Sequence, residues 1–224
     1  MYKAIIFDVY GTIFDMSSLE KRLNQFDETQ ASSISQLWRK TQLQHMFLKQ
    51  IMQRYITFDI LTKDALRFTL DKHKIQYNRE DINQLFDAFL DLDYFKEIPR
   101  VFSDLKAKNL EIGVLSNGND SMLMPLVDNS KISDDIDTVM SVDEIKQYKP
   151  SPASYALILD YYHVNRSEVL YVSSNSWDVT GAANFGFDTV WVNRRKMQFD
   201  NNGQAPTMTV SNLNELVKWV EMNK

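Results

Sequence analysis

The sequence predicts an α/β fold, a doubly wound, Rossmann-like parallel sheet with an all-helical cap inserted after its first strand, and two observations lead there. Short β-rich runs recur, "AIIFD" (4–8), "EIGVLSN" (111–117), "DTVMSVDE" (137–144), "EVLYVSSN" (168–175) and "DTVWVNR" (188–194), with helical stretches between them. The interval 16–96 differs: it has no glycine and no proline, and its apolar residues return every three and four positions. The chain has 224 residues, 44% hydrophobic and 12% aromatic. That is the composition of a chain folded throughout, with room for a core and an appendage.

Taken in order, the first run ends on Asp8, a carboxylate at the mouth of a strand, followed by a Gly11 turn. A first hinge is expected near 14–16. "SSISQLWRKTQLQHMFLKQIMQRYITF", "TKDALRFTLDKH" and "REDINQLFDAFLDL" belong to a four-helix cap spanning 16–96, with a second hinge near 94–99. The core is then 1–15 and 97–224. The second strand runs into Ser116, Asn117 and Gly118, and the helix after it must place Pro125 early or kink there. In "SPASYALILDYYH", Ser151 can cap and Pro152 suits the first helical position. "SWDVTGAANFG" stops at Gly186, "DNNGQAP" (200–206) is a polar loop, and "SNLNELVKWVEM" opens with a capping serine. Strands this continuously apolar imply a sheet covered on both faces.

A net charge of −5 gives no general field for nucleic acid or an anionic membrane, so an anionic substrate has to be caught locally. The chain has no cysteine, which removes disulfides, thiolate catalysis and Cys-based metal sites. Histidines 45, 73 and 163 have no metal-ligand spacing. No apolar run reaches the roughly 20 residues that span a bilayer, and "MYKAIIFD" lacks the features of a secretion signal. A cytoplasmic location is the expectation.

Ligands of open α/β sheets bind beyond the carboxyl ends of the strands. Four sets of polar residues fall there: Asp8 with Tyr10, Gly11 and Thr12; Ser116 with Asn117 and Gly118; Lys149; and Ser173, Ser174, Asn175 and Asp178. Each alone has an ordinary reading: a turn former, an Asn-Gly turn, a solvated lysine, an acid in a helix's first turn. All of them at successive strand ends is a different matter.

The stretches "FDVYGTIFD", "LWRKTQL", "VLSNGND", "YKPSPASY" and "YVSSNSWDVTGAANFGFDTVWVNR" resemble the haloacid dehalogenase superfamily, in its 2-haloacid dehalogenase branch. Ser-Ser-Asn-x-Trp-Asp is the most specific of them. Two departures from the superfamily's phosphatases matter. Tyr10 stands where those enzymes carry a second aspartate to protonate the leaving oxygen, and Ser174 stands where they carry an Mg²⁺-binding acid. A halide leaves as a stable anion and needs neither.

The resemblance implies a metal-independent hydrolase turning (S)-2-haloalkanoic acids into (R)-2-hydroxyalkanoic acids and halide, with no cofactor. Asp8 would attack C2 and form an ester. Lys149, held by Asp178, would keep Asp8 ionised. Ser116 and backbone N–H groups around Tyr10 and Gly11 would grip the substrate carboxylate, and Asp178 with Ser173 and Asn175 would position the hydrolytic water. Arg39 on the cap would meet the halide together with Asn117, while Leu43, Phe58 and Trp177 form an apolar wall. Thr12 joins the catalytic set, Tyr155 is expected near the substrate, and relatives of this kind imply a homodimer. "KTQLQHMFLK" after Arg39 departs from the family's usual run at Lys40, Thr41, His45 and Met46, which bears on specificity. Two rivals remain: an Mg²⁺-dependent phosphatase of small metabolites, and a binding module without turnover.

Overall fold

The structure is a computed structural model that describes residues 2–200 and 202–222. Six parallel strands form one sheet in the order β3-β2-β1-β4-β5-β6. They are β1 (Ala4–Phe7), β2 (Glu111–Ser116), β3 (Thr138–Ser141), β4 (Val169–Ser173), β5 (Asp188–Val192) and β6 (Met208–Val210). Burial explains the first five: β1 and β4 are buried at every position, which only a sheet covered on both faces permits. The third strand is shorter than the sequence predicts, because Val142–Glu144 turns into a short 3-10 helix. The sixth strand was not expected. Three residues after a polar loop carry no period, and they are a strand because β5 offers them an open edge.

Strand order reverses at β1, where the chain first moves outward through β2 and β3 and then returns to lay β4 on the other side. The crevice beyond the β1 and β4 carboxyl ends is therefore the binding position of this fold. Helices α5 (Ile98–Lys106) and α9 (Leu213–Met222) pack together, as do α7 (Pro152–Tyr162) and α8 (Ser176–Phe185), while α6 (Asp120–Asp128) lies against β3. Pro125 sits inside α6, not at its start. Ser151 and Gly186 flank α7 and α8 as expected, but the Ser151 hydroxyl donates to Gln147 instead of capping. At α9 the capping oxygen is that of Asn212, which accepts from the Asn214 N–H at 3.0 Å.

Four helices, α1 (Ser18–Phe26), α2 (Ala31–Ile51), α3 (Phe58–Lys72) and α4 (Arg79–Asp87), occupy the insertion. α2 packs on α1 and α3, and α4 meets both of these. Trp38 is buried at the centre, with its indole N–H on the Thr62 carbonyl at 2.9 Å and its ring edge-on to Phe89. The two chain crossings run side by side: the Asp15 N–H donates to Asp93 O (2.7 Å) and the Phe95 N–H to Ile13 O (3.0 Å). Arg194, just after β5, fastens both crossings. Its guanidinium pairs with Glu97, donates to Thr12 O at 3.3 Å and stacks on Phe95 at 3.7 Å.

Candidate active site

Asp8 extends β1 by one residue, its N–H still bonded to Val172 O at 2.9 Å, so its carboxyl stands in the switch-point crevice and is 5% exposed. Oδ1 accepts from Lys149 Nζ at 2.8 Å. Oδ2 accepts from Asn175 Nδ2 (2.8 Å), Thr12 Oγ1 (3.1 Å) and Ser173 Oγ (3.3 Å). The predicted strand-end residues of β1 and β4 thus meet at one carboxylate. Thr12 also receives the Ser174 N–H at 2.8 Å, which ties the two strand ends to each other.

Lys149 is wholly buried, and its ammonium touches Asp8, Asp178 Oδ2 (2.9 Å), the Leu115 carbonyl (2.9 Å) and the Tyr171 hydroxyl (2.9 Å). Burial by itself pushes its pKa down, but the two carboxylates outweigh that and the net shift is upward. Asp178 shifts upward as well, because burial and the neighbouring Asp8 charge exceed the pull of Lys149. One cation is thus shared by two buried acids, with Asp8 the member nearer solvent.

Tyr171 was missed by sequence reasoning. It lies two residues before Ser173 on β4, hence on the same face, and its hydroxyl bonds Asp178 at 3.0 Å while accepting from Lys149. Tyr155 is corrected: it does not line the substrate space but lies beneath Asp178, donating to Oδ1 at 2.9 Å. Both phenols are held neutral by burial and by Asp178. Asp178 is in consequence saturated by Lys149, Tyr171 and Tyr155, and the two residues expected to share a water with it, Ser173 and Asn175, touch Asp8 instead.

On β2, Ser116 Oγ accepts from the Gly118 N–H at 3.0 Å, leaving its proton to donate. Asn117 takes the Lys149 backbone N–H on Oδ1 (2.9 Å) and reaches Met46 Sδ of the cap with Nδ2 (3.0 Å). The Gly11 N–H, expected to serve the substrate, is committed to Phe14 O at 2.8 Å because the turn closes on itself there. Gly11 itself has φ +87°, and a Cβ on it would lie 3.1 Å from Ser174 Oγ.

From the cap, Arg39 donates to Gln42 at 2.6 Å, Gln42 to Thr62 at 2.6 Å, and Thr62 to Phe58 O at 2.6 Å. This relay, invisible in sequence because Gln42 and Thr62 sit on different helices, aims the guanidinium. Burial lowers the Arg39 pKa while Asp8 and Tyr10 raise it, which places the cation within their field. Arg39 and Leu43 line a cleft of about 450 Å³ with Met16, Trp38 and Phe89. Trp177 lies edge-on to Phe47 of α2 and borders a second cleft of about 800 Å³. Phe58 packs on Tyr10 with centroids 6.3 Å apart. The Tyr10 hydroxyl and the Trp177 indole N–H are buried without a hydrogen-bond partner among the described residues, two donors with nothing to donate to.

An Mg²⁺ held as in the superfamily's phosphatases does not fit these residues. Asn175 Nδ2, a donor, bridges Asp8 Oδ2 and the Tyr10 carbonyl (2.8 and 3.4 Å), and Ser174 offers a neutral hydroxyl where an anionic oxygen would serve. Among the described residues no group of three or more His, Cys, Asp or Glu side chains could hold a metal ion.

The family profile of the haloacid dehalogenase-like hydrolases matches residues 2–186. This chain belongs to that family. Within these hydrolases it falls in the 2-haloacid dehalogenase branch. It is 38% identical to the (S)-2-haloacid dehalogenase of Pseudomonas sp. (strain YL), covering 98% of this chain and 94% of that one. It is 34% identical to haloacetate dehalogenase H-2 of Moraxella sp. (strain B), over 96% of each. The L-2-haloacid dehalogenase of Xanthobacter autotrophicus, solved with chloropropionic acid covalently bound, superposes with a TM-score of 0.94 at 32% identity, over 99% of both chains.

Proposed function

We propose that this haloacid dehalogenase-like hydrolase releases halide from (S)-2-haloalkanoic acids, giving (R)-2-hydroxyalkanoic acids through an ester on Asp8. The observation that carries the reading is a buried carboxylate backed by an ammonium at 2.8 Å, with an amide donor where a metal would sit and no second acid two residues on. The relatives named as (S)-2-haloacid dehalogenases, and the covalently bound chloropropionic acid of the Xanthobacter enzyme, support the same chemistry.

One Asp8 oxygen attacks C2 opposite the carbon–halogen bond; the C–O bond forms as the halide departs with the bonding electron pair. Arg39, the Tyr10 hydroxyl and the Trp177 N–H are donors for that anion and for the substrate carboxylate, which Ser116 also holds. Water then adds to the ester carbonyl carbon of Asp8 and the bond from that carbon to the C2 oxygen breaks; one of the water's protons passes to the departing C2 oxygen, giving the hydroxyacid with C2 inverted, and the other is released to solvent as Asp8 returns to a carboxylate. Lys149 stabilises Asp8 before attack, and Ser173 and Asn175 hold the carbonyl oxygen on which negative charge gathers during hydrolysis. The cap, taken as residues 16–96 on a core of 1–15 and 97–224, excludes solvent from these steps.

The test is a single turnover of 2-chloropropionate in ¹⁸O-water, followed by mass spectrometry of the peptide holding Asp8. Label in that peptide is expected. Label in the hydroxyacid alone, or chloride release undiminished in Asp8→Asn, would overturn the ester route.

A homodimer is part of the proposal, supported by exposed Leu48, Ile51 and Met52 at the end of α2 and Ile60 and Phe68 on α3. Light scattering on the intact chain decides it. A cytoplasmic location is proposed with it; no helix among the described residues is long and apolar enough to cross a membrane.

A further inference from the structure

The loop that carries Lys149 is held from the cap. Tyr148, the residue before it, is fully buried and bonded to the insertion at both ends: its backbone N–H donates to Gln50 Oε1 at 2.7 Å, and its hydroxyl to the Ile56 carbonyl at 2.6 Å. Its ring lies 4.8 Å from that of Tyr55 and 5.9 Å from that of Phe58. Tyr55 in turn donates to Asp143, earlier on the same loop, at 2.6 Å. Asn117 links the next backbone N–H, that of Lys149, to Met46 of α2. Gln50, Tyr55, Ile56, Phe58 and Met46 all belong to the insertion, whereas residues 143–149 belong to the sheet's crossover from β3 to α7.

These bonds do more than close a surface. The Tyr148 N–H has its partner in a cap side chain and not in a strand or helix, so the conformation of this loop depends on where the cap sits. Lys149 must place Nζ within 3 Å of four separate acceptors, and its anchor is the backbone that Gln50 and Asn117 hold. We propose that Gln50 and Tyr148 are positioning residues that couple cap seating to Lys149, so that the ammonium is held between Asp8 and Asp178 when the cap is closed. This rests on the dehalogenase reading for its kinetic consequence, and on geometry alone for the placement of the ammonium. The charged and titratable groups around the loop are Asp143, Glu144 with Tyr161, Lys146, Lys49, Asp59 and Tyr55; those around Nζ are Asp8, Asp178 and Tyr171, with Tyr155 behind Asp178 and Arg39 facing Asp8 from α2.

The experiment compares wild type, Gln50→Ala, Gln50→Glu and Tyr148→Phe by three readouts: kcat and KM for 2-chloropropionate across pH, thermal unfolding, and the rate at which an amine-reactive anhydride labels Lys149, read by mass spectrometry. Gln50→Ala is expected to lower kcat by about ten- to hundredfold, the scale of a roughly 1 Å misplacement, with a smaller change in KM and an acid limb of kcat/KM displaced to higher pH. Gln50→Glu keeps the acceptor oxygen and restores most of kcat; Tyr148→Phe falls between. Lys149 labels faster in Gln50→Ala than in wild type. Unchanged labelling together with an unmoved pH profile overturns the proposal, even if the variant is less stable, since a merely structural bond would lower the melting temperature and nothing else. If wild type releases no halide, the dehalogenase reading fails, and the labelling rates still decide whether the cap positions Lys149.

Discussion

Replacing Lys149 with methionine keeps the length of the side chain and removes its charge, which isolates the electrostatics of the cluster. Asp8 Oδ1 and Asp178 Oδ2 lie 2.8 and 2.9 Å from Nζ, so the two oxygens are within about 6 Å of each other. At an effective dielectric of about 20, two negative charges at that distance repel by about 2.8 kcal/mol, close to two pKa units. With no cation between them the pair holds its proton more tightly, and Asp178, already raised by burial, is pushed further up. Two consequences follow. The acid limb of kcat/KM for 2-chloropropionate moves up by at least about two units, because the repulsion is no longer offset by the ammonium's attraction, with a lower plateau. Stability at about pH 8 falls by about 3–5 kcal/mol, as for a broken buried pair, and the deficit shrinks at about pH 5, where one acid is protonated. Urea unfolding at the two pH values and a pH-rate profile measure both. A stability deficit independent of pH, together with an unmoved acid limb, would refute the shared-cation reasoning.

Other expectations come from the same contacts. Tyr171→Phe removes the hydroxyl between Lys149 and Asp178 and should lower kcat by about tenfold with a stability change of about 1–2 kcal/mol, read by halide release and thermal unfolding. Because Asp178 is raised above its usual 3.8, it favours folding most below that value, and its contribution declines as pH rises through the folded pKa; Asp178→Asn should lack this slope when melting temperatures are followed against pH. Arg194→Leu removes the fastening of both chain crossings and should cost about 2–4 kcal/mol in denaturant unfolding, with faster proteolysis at the hinge. In Gly181→Ala the new methyl would stand 2.5 Å from Pro150 Cβ and 2.5 Å from the Tyr155 hydroxyl, so kcat should fall along with a stability loss of about 1–3 kcal/mol, checked by kinetics and calorimetry together.

Much of the side-chain cluster around Asp8, the candidate site, was legible because its members sit where local sequence marks a strand's end. Asp8, Ser116 and Ser173 each close an apolar run, and Asp178 opens a helix bounded by Gly186. Tyr171 escaped because a tyrosine inside a strand reads as packing, and only the neighbouring Lys149 makes its hydroxyl part of the cluster. Tyr155 was placed one layer too far forward, since helical spacing gives its face but not its depth. The Gln42–Thr62 relay and the Gln50–Tyr148 bond join residues 20 and 98 positions apart, and no local period encodes such a pair.

From its sequence alone this chain determined its layers, the helical insertion, and the carboxylate, hydroxyl and lysine that stand at the strand ends, because apolar periodicity and turn chemistry act over a few residues. Which acid the ammonium shares, which amide stands where a metal could, and how the cap grips the lysine loop were decided only in three dimensions. Those contacts depend on strand order and on the seating of one set of helices over another, and the energies that select them are interactions between segments distant along the chain.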